Sequence, residues 1–144
     1  MTQTPSAASR QLVCAGVLVM PIVYMVVAVG LRLAGVVQQE GFGEFDPQLT
    51  LILTGAFVAA GITTGAVSLV FKKAMLKNAT AAEQRFTAVL ESMAISEFGA
   101  VLGLMLILLS GNVLYGSLLC GISFAFTCFH FPGRHWLEHG DDLS

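Results

Sequence analysis

Residues 98–133 contain no Asp, Glu, Lys or Arg. At about 1.5 Å per residue, a single helix of that length would far exceed a bilayer core of about 30 Å. The run must therefore fold back on itself. Ser110, Gly111 and Asn112 supply the break, with Gly111 as a helix stop and Asn112 as the next N-cap.

The rest of the composition agrees with burial in lipid. Of the 144 residues, 56% are hydrophobic and only 11% charged, with a mean hydropathy of +0.80. Ordinary soluble domains carry about 25% charged residues, and a chain with less than half of that cannot clothe a globule in water. This composition excludes a soluble enzyme, a secreted disulfide scaffold and a nucleic-acid binder. Seven Lys and Arg against nine Asp and Glu give a net charge of −2, with no excess that would attract an anionic partner. Cys14, Cys120 and Cys128 sit in apolar runs without CxxC spacing and are expected to be small buried hydrophobes.

Charges mark out the other spans. Arg10 and Arg32 enclose one uncharged run, and Asp46 and Lys72 enclose a second. A third apolar segment begins at Phe86 and carries Glu91 and Glu97. The first segment lacks a small-residue cleavage site and reads as an uncleaved span. The predicted fold is all-α: a polytopic membrane protein with four transmembrane helices, at 11–36, 47–71, 86–109 and 113–131, in an up-down bundle. Residues 1–10 form an N-terminal segment ahead of this 11–131 domain. The tail at 132–144 is read as an interfacial segment with Trp136 as its anchor.

Local signals punctuate the helices. Asp46-Pro47 places an N-cap before a proline at the first helical position. Thr80 and Glu83 have the spacing of a capping box, Pro132-Gly133 closes the last helix, and Pro21 is expected to kink the first. Lys72, Lys73, Lys77 and Arg85 fall between helices two and three, whereas Glu40, Glu44 and Asp46 fall between one and two. The positive-inside rule then puts the basic connection and both termini in the cytoplasm of a bacterial inner membrane. Arg10 and Arg134 agree, and Arg32 must snorkel to the outer interface.

Glu97 is the residue that most suggests chemistry. Counted from Phe86 it lies roughly 16 Å into a core of about 30 Å. An ionised carboxylate there costs at least about 2.5–3.5 kcal/mol on the insertion scale. The neutral acid is the form such a site holds unless water, a cation or another subunit reaches it. The functional reading is a proton or cation site; the structural alternative is a protonated acid hydrogen-bonded to a neighbouring helix. Glu91 lies near the interface, about 240° around the helix from Glu97, so the two do not form a paired-carboxylate site. Glu91, Thr63 and Thr64 are candidates for an ion path. Gly61 with Gly65, and Gly99 with Gly103, form two GxxxG pairs suited to close helix packing, and Gly61 is expected opposite Glu97 by depth. His130, His135 and His139 are expected at the interface or in solvent. No metal site, cofactor motif, phosphate loop or catalytic triad is present in the sequence.

The stretch from Glu97 through Val101, Leu102, Gly103 and Leu104 resembles the carboxylate helix of rotary ATPase c subunits, the proteolipids. The resemblance covers helices two and three. It implies that Glu97 is the ion-binding carboxylate and Gly61 the packing glycine. The dense alternating glycines and the Arg-Gln-Pro loop of that family are absent, and helix four has no carboxylate. As a whole the chain resembles small four-helix bacterial membrane proteins. Phe98, rather than Ser or Thr, follows Glu97, which favours a proton over sodium. The expected function is a proteolipid-like, proton-binding membrane subunit without enzyme activity, working as a homo-oligomer or with other membrane subunits. The alternatives are an accessory subunit packing through the two GxxxG faces, and a small transporter.

Overall fold

The computed structural model describes residues 7–37 and 46–132. Four helices account for nearly all of them: α1 (Ala7–Leu33), α2 (Pro47–Asn78), α3 (Ala82–Ser110) and α4 (Val113–His130). There is no strand among the described residues. All four helices are long and apolar enough to cross a membrane, so the fold is an all-α four-helix membrane bundle. The expectations for Glu40, Glu44, Arg134, His135, Trp136 and His139 lie outside the described residues.

The ends follow local chemistry. Gly35 adopts φ 71°; its N–H bonds the Arg32 carbonyl and the Val36 N–H bonds the Leu31 carbonyl, each at 3.0 Å. That pair of bonds is a Schellman motif, and it stops α1 at Leu33 rather than residue 36. Asp46 caps α2 by accepting from the Gln48 N–H at 3.1 Å, with Pro47 following. Gly111, at φ 67°, closes α3 through a bond from its N–H to the Ile107 carbonyl. Asn112 then opens α4 by accepting from the Tyr115 N–H. α1 continues as one helix through Pro21.

Other boundaries differ from expectation as well, beginning with α1, which starts at Ala7 rather than residue 11 and so takes up part of the expected N-terminal segment. α2 runs to Asn78, not residue 71, and α3 begins at Ala82, not residue 86. Loss of hydropathy marks where the chain leaves lipid, not where the helix ends. Lys, Ala, Met and Leu in 72–77 are all good helix formers in water. The basic residues Lys72, Lys73, Lys77 and Arg85 consequently sit on helix ends, and only 79–81 forms the turn. The capping arrangement there also shifts by one residue. Ala81 is the N-cap, and the Gln84 side-chain oxygen accepts from the N–H groups of Thr80 and Ala81.

α3 and α4 each pack against all the other helices, whereas α1 and α2 do not touch. In cross-section the bundle is a diamond, with α3 and α4 on its short diagonal. α1 runs parallel to α3, because Arg10 lies over the Phe86 ring at one end and Arg32 donates to the Gly111 carbonyl at the other. α2 runs parallel to α4 and antiparallel to α3, which completes the up-down order. Arg10, Lys72, Lys73, Lys77 and Arg85 gather at one end, the basic end, with Gly111 at the other. Cys14, Val89 and Met93 form a core between α1 and α3 with Val17, Leu18 and Phe131 around them. A second core joins Leu102, Leu106 and Leu119 to Phe57 and Val58 of α2. Leu12, Val26, Leu51, Ile52, Val70, Leu114 and Phe129 are exposed on the outside, an apolar surface that lipid would cover.

Candidate functional site

Glu97 lies one residue past the midpoint of the 29-residue α3. It is half-buried, and its Oε1 atom is buried without a hydrogen-bond partner. It follows Met93 by one turn and so continues the Phe86–Val89–Met93 stripe that packs toward α1. Gly61 is not opposite it. A Cβ placed on Gly61 would stand 3.6 Å from the Gly99 Cα and 2.6 Å from Leu119 Cδ2. Equal depth brings Gly61 level with this part of α3. Two residues further on, however, the helix has turned about 200°, and it is Gly99 that meets α2.

The proposed path residues are not assembled around Glu97. Glu91 is exposed. The Thr63 hydroxyl donates to the Ala59 carbonyl at 2.7 Å, and that of Thr64 to the Gly61 carbonyl at 2.9 Å. Both hydroxyls thus return to their own helix. Gly65 abuts the Phe126 ring, and Gly103 packs against Gly116 and Cys120 of α4. Both GxxxG pairs are therefore used inside the chain.

The structure brings together a different set of polar residues. Ser68, Ser92, Ser96, Ser123, Thr127 and His130 are all buried. Ser68 Oγ lies 2.8 Å from His130 Nε2, and Ser96 Oγ lies 2.8 Å from Thr127 Oγ1. Ser123 donates to the Ser96 carbonyl at 2.6 Å. Lys72 Nζ reaches the carbonyls of Phe129 and His130 at 3.4 and 3.3 Å, supplying donors at the C-terminal end of α4. These groups form a seam where α2, α3 and α4 meet: hydroxyls, imidazole and lysine toward the basic end, glycines toward the other.

His130 corrects an expectation, since its relative exposure is 0% rather than interfacial or solvated. It closes the last turn of α4 with its ring turned inward to Ser68. Cys128 is also a correction: it is exposed, whereas Cys14 and Cys120 are buried. Cys128 follows the inward-facing Thr127 and precedes the exposed Phe129, so it falls on the outer side of α4. Sequence reasoning missed the seam, although its signal was present. Gly61, Gly65, Ser68 and Lys72 repeat the 4-3-4 spacing of Ser92, Ser96, Gly99 and Gly103, and of Gly116, Cys120, Ser123 and Thr127.

The Ser96–Thr127 bond is a measurable link between α3 and α4. A double-mutant cycle with Ser96→Ala and Thr127→Val is expected to give a coupling of about 0.6 kcal/mol, with about 1.7 kcal/mol as the ceiling for interhelical bonds in membranes. The cycle is read from unfolding in mixed micelles, and zero coupling would remove the bond from the description. Among the described residues no group of three or more His, Cys, Asp or Glu side chains is arranged to hold a metal. No protein-family model, curated protein or solved structure matches the chain.

Proposed function

We propose that the chain is a proteolipid-like membrane subunit in which Glu97 binds and releases a proton. The observation that carries this reading is the Glu97 Oε1 atom, buried without a partner near the middle of α3. A carboxyl group has acceptor capacity in both protonation states, and an intramembrane one is functional by default. The residue is only half-buried. Its open side lets water, or the surface of a second subunit, complete the site in alternation, in a homo-oligomer or with other membrane proteins. The basic end faces the cytoplasm of a bacterial inner membrane on this reading, following the positive-inside rule. The chain performs no catalysis of its own. The accessory-subunit alternative loses its proposed docking faces, because Gly61, Gly65, Gly99 and Gly103 are taken up within the chain.

Carbodiimide labelling of the chain in lipid tests the reading, because these reagents modify protonated carboxyls in apolar surroundings. Glu97 is expected to be labelled at low pH and Glu91 not. The yield falls as pH rises, since deprotonation removes the reactive form. Glu97→Gln should lose the adduct altogether. If Glu97 stays unlabelled at every pH while Glu97→Gln is as stable as the parent, the site is a packing element and the proton-binding reading is abandoned.

A further inference from the structure

His130 is the one histidine among the described residues, and hydrogen counting fixes its ring. Ser68 Oγ donates to the Gly65 carbonyl at 2.6 Å and also lies 2.8 Å from His130 Nε2. A hydroxyl has a single hydrogen. With that hydrogen on Gly65, the Ser68 oxygen accepts from an Nε2–H. A second N–H at Nδ1 would be buried without an acceptor, so the ring is neutral and Nδ1 is a bare acceptor. The reverse assignment would place an orphaned N–H at Nδ1, the kind of buried group that folded proteins admit least.

The surroundings of this acceptor are cationic. From α2, Lys72 holds its ammonium against the carbonyl of His130 itself. From α3, Ser92 and Ser96 face the seam, Glu91 is turned to the surface, and Arg85 is half-exposed at the same end. α1 contributes Cys14, in the cluster that Phe131 joins, and Arg10 over Phe86. On α4, Cys128 is exposed. No carboxylate is turned toward the ring from these residues.

We propose that His130 is a second proton-binding site, acting as a latch on the basic end of the seam. A proton taken from water onto Nδ1 converts the ring to imidazolium. The new N–H has no acceptor in place, and the new charge stands beside Lys72. Both strains are relieved when the end of α4 separates from α2 and the ring reaches water. That movement breaks the Ser68 and Lys72 contacts and opens the hydroxyl-lined half of the seam. Loss of the proton from Nδ1 returns the ring to the neutral form, whose Nε2–H donates again to the Ser68 oxygen and closes the seam. The latch is independent of Glu97, which lies on the opposite stripe of α3.

The test uses the full chain in lipid nanodiscs with His135→Gln and His139→Gln, so that His130 is the sole imidazole. Ring nitrogen NMR reads its protonation. Nitroxides on the exposed native Cys128 and on a Lys73→Cys substitution read the distance between α4 and α2. At about pH 8 the expected state is the Nε2–H tautomer with one short distance. On acidification below the ordinary imidazole value of about 6.5, the Nδ1 resonance should shift to its protonated position, and the distance should lengthen with the same midpoint. The proposal is overturned by an Nδ1–H tautomer at high pH, by a ring that stays neutral throughout, or by protonation that leaves the distance unchanged. Because the readout is His130 itself, its failure is separate from a failure of carbodiimide labelling at Glu97.

Discussion

Gly116→Ala is expected to destabilise the bundle by about 2–3 kcal/mol, the upper part of the usual cost of overpacking. A Cβ on Gly116 would stand 2.6 Å from the Gly103 carbonyl oxygen and also collide with the Ile107 side chain. The reciprocal Cβ on Gly103 would stand 2.5 Å from the Gly116 carbonyl oxygen. Backbone atoms cannot rotate away, so α3 and α4 must part, and theirs is the central contact of the diamond. Gly61→Ala should cost less, because what it meets first is the flexible end of Leu119. Gly99→Ala meets only atoms at 3.5 Å or more and should be tolerated. Gly121, on the same helix as Gly116, has nothing within 4 Å of its added Cβ. Its alanine variant should fall within about 0.5 kcal/mol of the parent. Unfolding titrations in mixed micelles rank the series; equal stability of Gly116→Ala and Gly121→Ala would contradict the close α3–α4 approach.

What the sequence made legible here was local. Gly111, Asn112 and Asp46-Pro47 act on their own turns, and each caps the helix end that its chemistry implied. The position of Glu97 along its span followed from counting residues. Its direction around the helix did not, because depth carries no azimuth: Gly99, two residues on, became the partner of Gly61. The continuation of α2 through Lys72 and Lys77 was hidden because hydropathy reports the bilayer and not the backbone. His130 was illegible for another reason. At the end of an apolar run a histidine reads as interfacial, and its burial depends on Ser68, 62 residues earlier in the chain. Likewise, Gly116 has meaning only once Gly103 is known to face it.

The two halves of the seam divide the work of holding three helices together without a hydrophobic driving force. Toward the Gly111 end, glycines let backbones touch, which is a rigid contact with no alternative state. Toward the basic end, side chains bond across the seam to side chains and carbonyls, and the outermost of those bonds depend on the protonation of His130 and the placement of Lys72. The structure is therefore stiff at one end and adjustable at the other. Glu97 sits near the boundary between the two halves but on the side facing α1, which Arg32 ties to the rest at one end and Arg10 at the other.

Those ties make α1 the element whose loss is easiest to provoke. Arg32→Leu is expected to weaken its docking by about 1.5–3 kcal/mol, the range for a hydrogen bond to a charged group. Arg32 donates to the Gly111 carbonyl, which the left-handed turn that ends α3 presents toward α1. Removing the donor leaves that carbonyl with the Val113 N–H, 2.9 Å away, as its remaining partner. At the other end, half-buried Arg10 over Phe86 at 5.6 Å contributes about 0.5–2 kcal/mol. Since α1 does not touch α2, its release should leave the α2–α3–α4 unit intact. Detergent titration followed by spin labels on α1 and α3 should show separation of α1 ahead of the main transition, with Arg32→Lys intermediate because a single ammonium donor still reaches the carbonyl. If α1 separates together with the rest, at the parent's midpoint, then apolar packing around Cys14 and Met93 holds it, and the arginine tie is dispensable.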